Sequence, residues 1–157
     1  MNNSIFREYD IRGIAEKDLT NEVVELIGLA YGTKIIESGL QNISIGRDCR
    51  KSSDRIFNSL AGAILKTGVN VINLGVITSP VLYFSLYGLD VDGGIMITAS
   101  HNPPDYNGFK AAIGKNVLSS EEIQNLKIKI QSKSFIVAQE KGHISDFDII
   151  EKYKEDI

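Results

Sequence analysis

Apolar residues recur at helical spacing between positions 20 and 38. Val23, Ile27, Ala30 and Ile35, beside Lys34, share one side, Thr20 is placed to cap the first turn, and Gly39 is a stop. The apolar run Ile43 to Gly46 reads as a strand, and a second helix starts at Ser53 or Asp54. Ile56, Leu60, Ala63 and Ile64 give that helix one apolar face, and it ends at Gly68. A strand over Val69 to Leu74 follows, then a shorter helix with Pro80 in its first turn, running through Tyr87. Gly93 to Thr98 is a buried strand, and Phe109 to Ile113 resumes an apolar run. Ser119 and Glu122 form a capping-box pattern ahead of a helix carrying Ile123, Leu126 and Ile130, and Asp146 to Ile157 reads as a last helix. Strands separated by helices predict a three-layer α/β/α domain with a largely parallel, mixed sheet. Functional loops of such sheets gather at the carboxyl ends of strands.

One such loop, Thr98-Ala99-Ser100-His101-Asn102-Pro103-Pro104-Asp105-Tyr106-Asn107-Gly108-Phe109-Lys110, stands out chemically. Pro103 and Pro104 fix φ and keep Asn102 out of helical geometry, while Asp105, Asn107 and Gly108 are turn formers. Ser100 therefore sits on a stiff loop after a buried strand, and Lys110 returns toward it if the two flanking strands are neighbours. Three readings compete for this serine. A hydrolase elbow wants glycines two residues to either side, where this chain has Thr98 and Asn102. It also wants a histidine base, and only His101 and His143 are available. His101 is Ser100's own neighbour and points to the opposite face in extended backbone. A phosphoryl carrier would hold the group on the hydroxyl, with cations and backbone N–H groups offsetting its charge. A serine that merely closes a turn is the third.

Composition narrows the setting. The chain has 157 residues, 43% of them hydrophobic and 24% charged, as a single globular domain requires. No run approaches the roughly 18 apolar residues of a membrane span, and the start lacks the layout of a secretory signal, so a cytoplasmic location is expected. A formal net charge of −3 provides no basic field for nucleic acid. An anionic ligand must be met locally, and all five arginines (Arg7, Arg12, Arg47, Arg50 and Arg55) precede residue 56. Strands are expected to end at two of them, Arg12 after Tyr9-Asp10-Ile11 and Arg47 after Ile43 to Gly46. The guanidinium fork pairs phosphate oxygens two at a time. Arg50 and Arg55 read as surface charges or ion-pair partners. Gly114-Lys115 mimics a P-loop, but with the wrong glycine spacing and Asn116 at the hydroxyl position. Cys49 is the only cysteine, so neither an internal disulfide nor a metal pattern is available.

The loop does not stand alone. Phe6-Arg7-Glu8-Tyr9-Asp10-Ile11-Arg12-Gly13, Gly46-Arg47-Asp48 with Arg50 and Ser52, Thr78-Ser79-Pro80-Val81-Leu82 and the Ser100 loop occur in that order. Together they resemble four motifs of the α-D-phosphohexomutases. The wording Pro104 to Lys110 is most similar to the phosphomannomutase/phosphoglucomutase branch. The resemblance implies a phosphorylated Ser100 and exchange of a phosphoryl group between the 1- and 6-hydroxyls of a hexose phosphate through a bisphosphorylated sugar. It implies catalytic roles for Ser100, Lys110 and Arg12, and substrate or phosphate binding by Tyr9, His101, Asn102 and Arg47. It further implies magnesium on the Ser100 phosphate, with its other ligands outside this chain, and glucose or mannose 1,6-bisphosphate as primer.

Whole enzymes of that family carry four domains, and residues 1–157 resemble the first. The final helix has no glycine or proline to end it, so the chain reads as a fragment, inactive alone and partnered by the remaining domains of its own full-length chain. A stand-alone, non-enzymatic phosphosugar-binding domain is the alternative, with a serine hydrolase behind it. The residues that distinguish mannose from glucose lie outside these motifs.

Overall fold

The computed structural model describes residues 1–156, so Ile157, the expected last residue of the final helix, lies outside the described residues. The strands are β1 (Ile11–Ile14), β2 (Asn42–Arg47), β3 (Asn70–Val76), β4 (Gly93–Ile97), β5 (Tyr106–Ile113), β6 (Asn116–Val117) and β7 (Ile144–Asp146). The helices are α1 (Ala15–Asp18), α2 (Asn21–Glu37), α3 (Ser53–Lys66), α4 (Ser79–Gly88), α5 (Ser120–Gln131) and α6 (Ile149–Asp156).

The expected caps form. Thr20 Oγ1 accepts from Val23 N at 3.3 Å, and Ser119 and Glu122 satisfy each other's backbone N–H groups at 3.2 and 2.9 Å. Gly39 and Gly68 adopt φ +75° and +96° after α2 and α3, a region open to glycine at little cost.

The seven strands form one sheet in the order β1-β5-β4-β2-β3-β7, with β6 on β5. β4, β2, β3 and β7 run parallel, whereas β5 is antiparallel to β4, β1 and β6. The sheet is thus mixed, as the alternation of elements predicts.

Side-chain alternation along the strands splits the core in two. Ile43, Ile45, Ile95, Ile97 and Phe109 pack with α2, α3 and α5 on one face. Leu74 and Met96 pack with Leu82 of α4 and Ile149 of α6 on the other. Helices on both faces complete the three layers.

This layering follows from the winding. From β2 the chain crosses through α3 to its neighbour β3, then returns through α4 to β4 on the far side of β2. Right-handed crossovers in opposite directions place their helices on opposite faces and open a crevice at the carboxyl ends of the strands where the direction reverses. That crevice lies between the ends of β2 and β4, where Asp48 N donates to Ile97 O at 3.0 Å.

Two expectations are corrected. Arg12 stands inside β1 instead of after a strand, because the strand begins at Ile11 and exists only through its pairing with β5. β7 was hidden because all three of its residues are exposed and show no alternation.

The α2–α3 contact depends on Gly28, where an added Cβ would lie 2.8 Å from both Ala63 Cβ and Leu60 O. Gly28→Val should lower stability by about 1–3 kcal/mol through overpacking, seen as a lower urea midpoint at unchanged slope.

Candidate functional site

Ser100 is exposed and holds φ +55°, in the left-handed region that non-glycine residues rarely occupy. Its N–H donates to Thr98 Oγ1 at 3.0 Å. Such strain persists where the surroundings over-determine it, and here they do. The loop is closed at its base by Thr98 N donating to Gly108 O (2.9 Å), and by the β4–β5 ladder that places Met96 opposite Lys110. Asn107 is fully buried, donates to Ser52 Oγ and Ser53 Oγ at 2.9 and 3.0 Å, and accepts from Gly108 N at 2.9 Å. It shapes the turn. Gly108 is required beside it, since a Cβ there would run into the backbone carbonyl of Ile11.

Arg50 reaches the loop's interior. Its guanidinium donates to the carbonyls of Ser100 (2.8 Å), Asn102 (2.9 Å), Pro103 (2.6 Å) and Tyr106 (3.1 Å), and its Nε to Asp48 Oδ2 (3.1 Å). The sequence reading, a surface charge or ion-pair partner, missed this larger role, although Gly46-Arg47-Asp48 with Arg50 already marked the segment.

Ser100 lines two cavities. One, of about 510 Å³, is shared with Arg7, Tyr9, Asp10, Arg12, Tyr83 and Lys110. Arg12 and Lys110 enter it because each alternates with a residue, Ile11 or Phe109, that points into the opposite core. Arg12 Nη1 donates to Asn102 Oδ1 at 2.5 Å, and its Nε lies 3.4 Å from Asp10 Oδ2, yet this buried Nε has no hydrogen-bond partner. A buried donor left so favours an anionic ligand. Tyr9 is exposed on a turn closed by Arg7 N donating to Asp10 O (2.9 Å). Tyr83, one turn after Ser79 on α4, went unnoticed in the sequence. Burial pushes its phenol above the usual value, so it is a neutral hydroxyl in the ordinary pH range.

The second cavity, of about 690 Å³, is mainly apolar and takes Asp48, Cys49, Ile77, Thr78, Ser79 and Tyr153 among its lining. Thr78 and Ser79 form the amino end of α4, where the helix dipole favours negative charge.

Two expected ligands lie elsewhere. Arg47 is on the other face of the sheet, with Nε donating to Asp54 Oδ1 (2.7 Å), Nη1 to Asn73 Oδ1 (3.3 Å), and its guanidinium stacked over Phe57 at 5.0 Å. It shares the face of Ile43 and Ile45, which is turned from Ser100 by the period of the strand. His101 is exposed and lines neither cavity, and His143 precedes β7 across the sheet, so no histidine stands beside Ser100 as a hydrolase base. Among the described residues no group of three or more His, Cys, Asp or Glu is placed to hold a metal ion. No helix among them is long and apolar enough to cross a membrane.

Residues 3–136 match the model of the phosphoglucomutase/phosphomannomutase alpha/beta/alpha domain I. The chain is 39% identical over 153 residues to a phosphoglucomutase of Neisseria gonorrhoeae, covering 98% of this chain and 33% of that protein. It is 37% identical over 150 residues to a phosphomannomutase/phosphoglucomutase of Pseudomonas putida, covering 96% and 32%. A crystal structure of a phosphoglucomutase/phosphomannomutase family protein from Burkholderia thailandensis superposes with a TM-score of 0.93 at 34% identity, over 99% of this chain and 35% of that one. The chain thus spans about a third of the length of the curated relatives it matches.

The corner between β1 and α1 braces the site from below. Asp18 Oδ2 accepts from Ile14 N (2.9 Å), its Oδ1 from Asn2 Nδ2 (3.1 Å), and Ala15 N donates to Asp105 O (2.8 Å) in the loop. The Ile14 N–H first, then Asn2, hold the Asp18 carboxyl below its ordinary value. A depressed pKa contributes stability that is present above the unfolded value of about 3.9 and is lost as pH falls through the folded one. Asp18→Asn should therefore lower the urea midpoint at neutral pH and flatten its acid decline, the two proteins converging once pH has fallen below the depressed folded value of Asp18. Parallel curves would remove Asp18 from the acid response.

Proposed function

The chain belongs to the phosphoglucomutase/phosphomannomutase family through its domain I, and on that premise we propose that Ser100 is the phosphoryl carrier of a hexose-phosphate mutase. The observation that supports this reading is an exposed, left-handed Ser100 sharing one cavity with Arg12 and Lys110.

In the first step the bond between phosphorus and Ser100 Oγ breaks as the free hydroxyl of a hexose monophosphate bonds to phosphorus, the hydroxyl's proton ending on the released Ser100 Oγ. The product is a bisphosphorylated sugar. The sugar reorients, and its other phosphoryl group returns to Ser100, leaving the isomeric monophosphate. A serine oxygen suits a carrier because it holds the group covalently between the two halves. Lys110 and Arg12 meet the charge on the transferring oxygens, Arg12 with an Nε that has no hydrogen-bond partner among the described residues. Asn102 fixes Arg12 through its side-chain oxygen, and Tyr9 offers an exposed ring beside the sugar path. His101 follows Ser100 directly in the chain, exposed and outside both cavities.

The proposal extends to the whole protein. Residues 1–157 form domain I of a four-domain mutase, located in the cytoplasm and inactive without the rest of its chain, with glucose or mannose 1,6-bisphosphate as primer. Magnesium belongs to the proposal as a ligand of the Ser100 phosphate. The described residues do not complete a site for it, so its other ligands come from beyond this domain.

Ser100→Ala in the full-length protein should abolish interconversion of hexose 1- and 6-phosphates, and intact mass should show the loss of one phosphoryl group, with the thermal midpoint unchanged. Normal turnover in that variant would sink the proposal. Lys110→Ala should lower kcat by about 10²-fold or more while leaving the free energy of urea unfolding within about 0.5 kcal/mol of wild type, as for loss of a charge-stabilising donor on a half-exposed strand position.

A further inference from the structure

We infer that Arg50 is the positioning residue of the Ser100 loop: its guanidinium sets the left-handed backbone at Ser100 and so fixes where Ser100 Oγ can reach. The consequence for catalysis rests on the carrier role proposed above, whereas the clamp itself does not.

Between the end of β4 and the start of β5 the chain turns through residues that include Pro103 and Pro104, neither of which can donate a backbone hydrogen bond. The carbonyls of this segment therefore lack enough backbone donors to close the loop from within. Two internal bonds exist, Asn102 N to Ala99 O (3.1 Å) and Tyr106 N to Pro103 O (3.0 Å). Ala15 N serves Asp105 O from outside the loop (2.8 Å), and Arg50 supplies the side-chain donors. Its two terminal nitrogens serve four carbonyls, those of Ser100, Asn102, Pro103 and Tyr106, at 2.6–3.1 Å.

A planar fork in the centre of a loop fixes the relative orientation of every peptide it touches, which a lysine ammonium at one point cannot do. The peptide after Ser100 is one of them. With Ser100 O held by Arg50 and Ser100 N held by Thr98 Oγ1, both sides of the residue are pinned and φ +55° has no freedom to relax.

Arg50 is itself preorganised. Its Nε pairs with Asp48, whose Oδ1 accepts from Arg50 N (3.1 Å) and Ser53 Oγ (2.7 Å), and whose N–H is tied to Ile97 O at the end of β4. The clamp thus links the carboxyl ends of β2 and β4, the two strands that flank the reversal of winding. Its positive charge also offsets four carbonyl dipoles that would otherwise repel a phosphoryl group on Ser100.

The test uses the full-length protein as wild type, Arg50→Lys and Arg50→Ala, with two readouts. In both variants the amides of Ser100, Asn102 and Tyr106 should exchange with solvent at least about tenfold faster, while amides in the middle of α2 and α3 keep their wild-type rates. Turnover should fall by about 10²-fold with KM changed less than about threefold, as for a misplaced reacting group. Millimolar guanidinium should restore part of the turnover of Arg50→Ala and none of Ser100→Ala.

Unchanged exchange at the three amides would overturn the clamp. So would turnover per folded molecule equal to wild type, which would reduce Arg50 to a stability residue. Should Arg50→Ala fail to fold, Arg50→Lys decides by the same two readouts. A wild-type protein without mutase turnover would count against the proposed function instead, and loop exchange would still judge the clamp.

Discussion

The antiparallel pairing of β4 with β5 is the constraint from which the site follows. It brings Gly108 back beside Thr98 and so forces the intervening residues into a closed loop whose base is a ladder bond. A loop of that length with two consecutive prolines has too few backbone donors to satisfy its own carbonyls. The chain meets the need from its neighbour strand, where Arg50 and Asp48 follow β2. Because β2 and β4 flank the reversal of winding, this brace stands where an α/β sheet already opens a crevice. The reactive serine and the structure that restrains it have the same topological origin.

The same alternation of faces sorts the arginines, which composition treats alike. Arg12 follows Ile11 by one position and emerges on the cavity side, while Arg47 follows Ile45 by two and emerges among α3 residues. Arg55 pairs with Glu16 at 3.6 Å, as an ion-pair partner is expected to, and also caps the α1 corner by donating to Ala15 O and Leu19 O. Arg50 lies beyond the strand, where no alternation applies and its loop contacts decide its place. A net charge of −3 therefore says little about the site, where Arg7, Arg12 and Lys110 line one cavity against Glu8 and Asp10.

Local signals made much of the fold readable in the sequence. Caps at Thr20 and Ser119, stops at Gly39 and Gly68, and apolar spacing in α2, α3 and α5 depend on residues within a few positions of one another, and the structure reproduces them. What escaped was long-range. β1 exists by pairing with residues almost a hundred positions away, and β7 is an exposed edge with no period. The loop around Ser100 was legible because its prolines, turn formers and serine are contiguous. The misplaced Arg47 and the undervalued Arg50 mark the limit of that approach. Both arginines sit in one motif, and only the direction of each side chain, set by strand register and by a loop closed far along the chain, separates a face-bound ion pair from a clamp.

Ser100 is exposed in this domain, and that exposure bears on how a carrier serine must work. A phosphoryl group held between two transfers is lost if water competes with the sugar hydroxyl, so the serine must be covered while it is loaded. The residues described here hold the serine rigidly and meet its charge, but both cavities that it lines are bounded by one domain only. Rigidity and shielding are thus separable tasks. The first is complete within this sheet, since the clamp, the ladder bond and the β1–α1 corner all lie inside it. If Ser100 is the carrier proposed above, the second requires a body that can approach and withdraw, so that a sugar can enter, turn and leave. A fixed serine on a fixed loop is what makes such motion tolerable: whatever closes over the cavities finds the nucleophile in the same place each time.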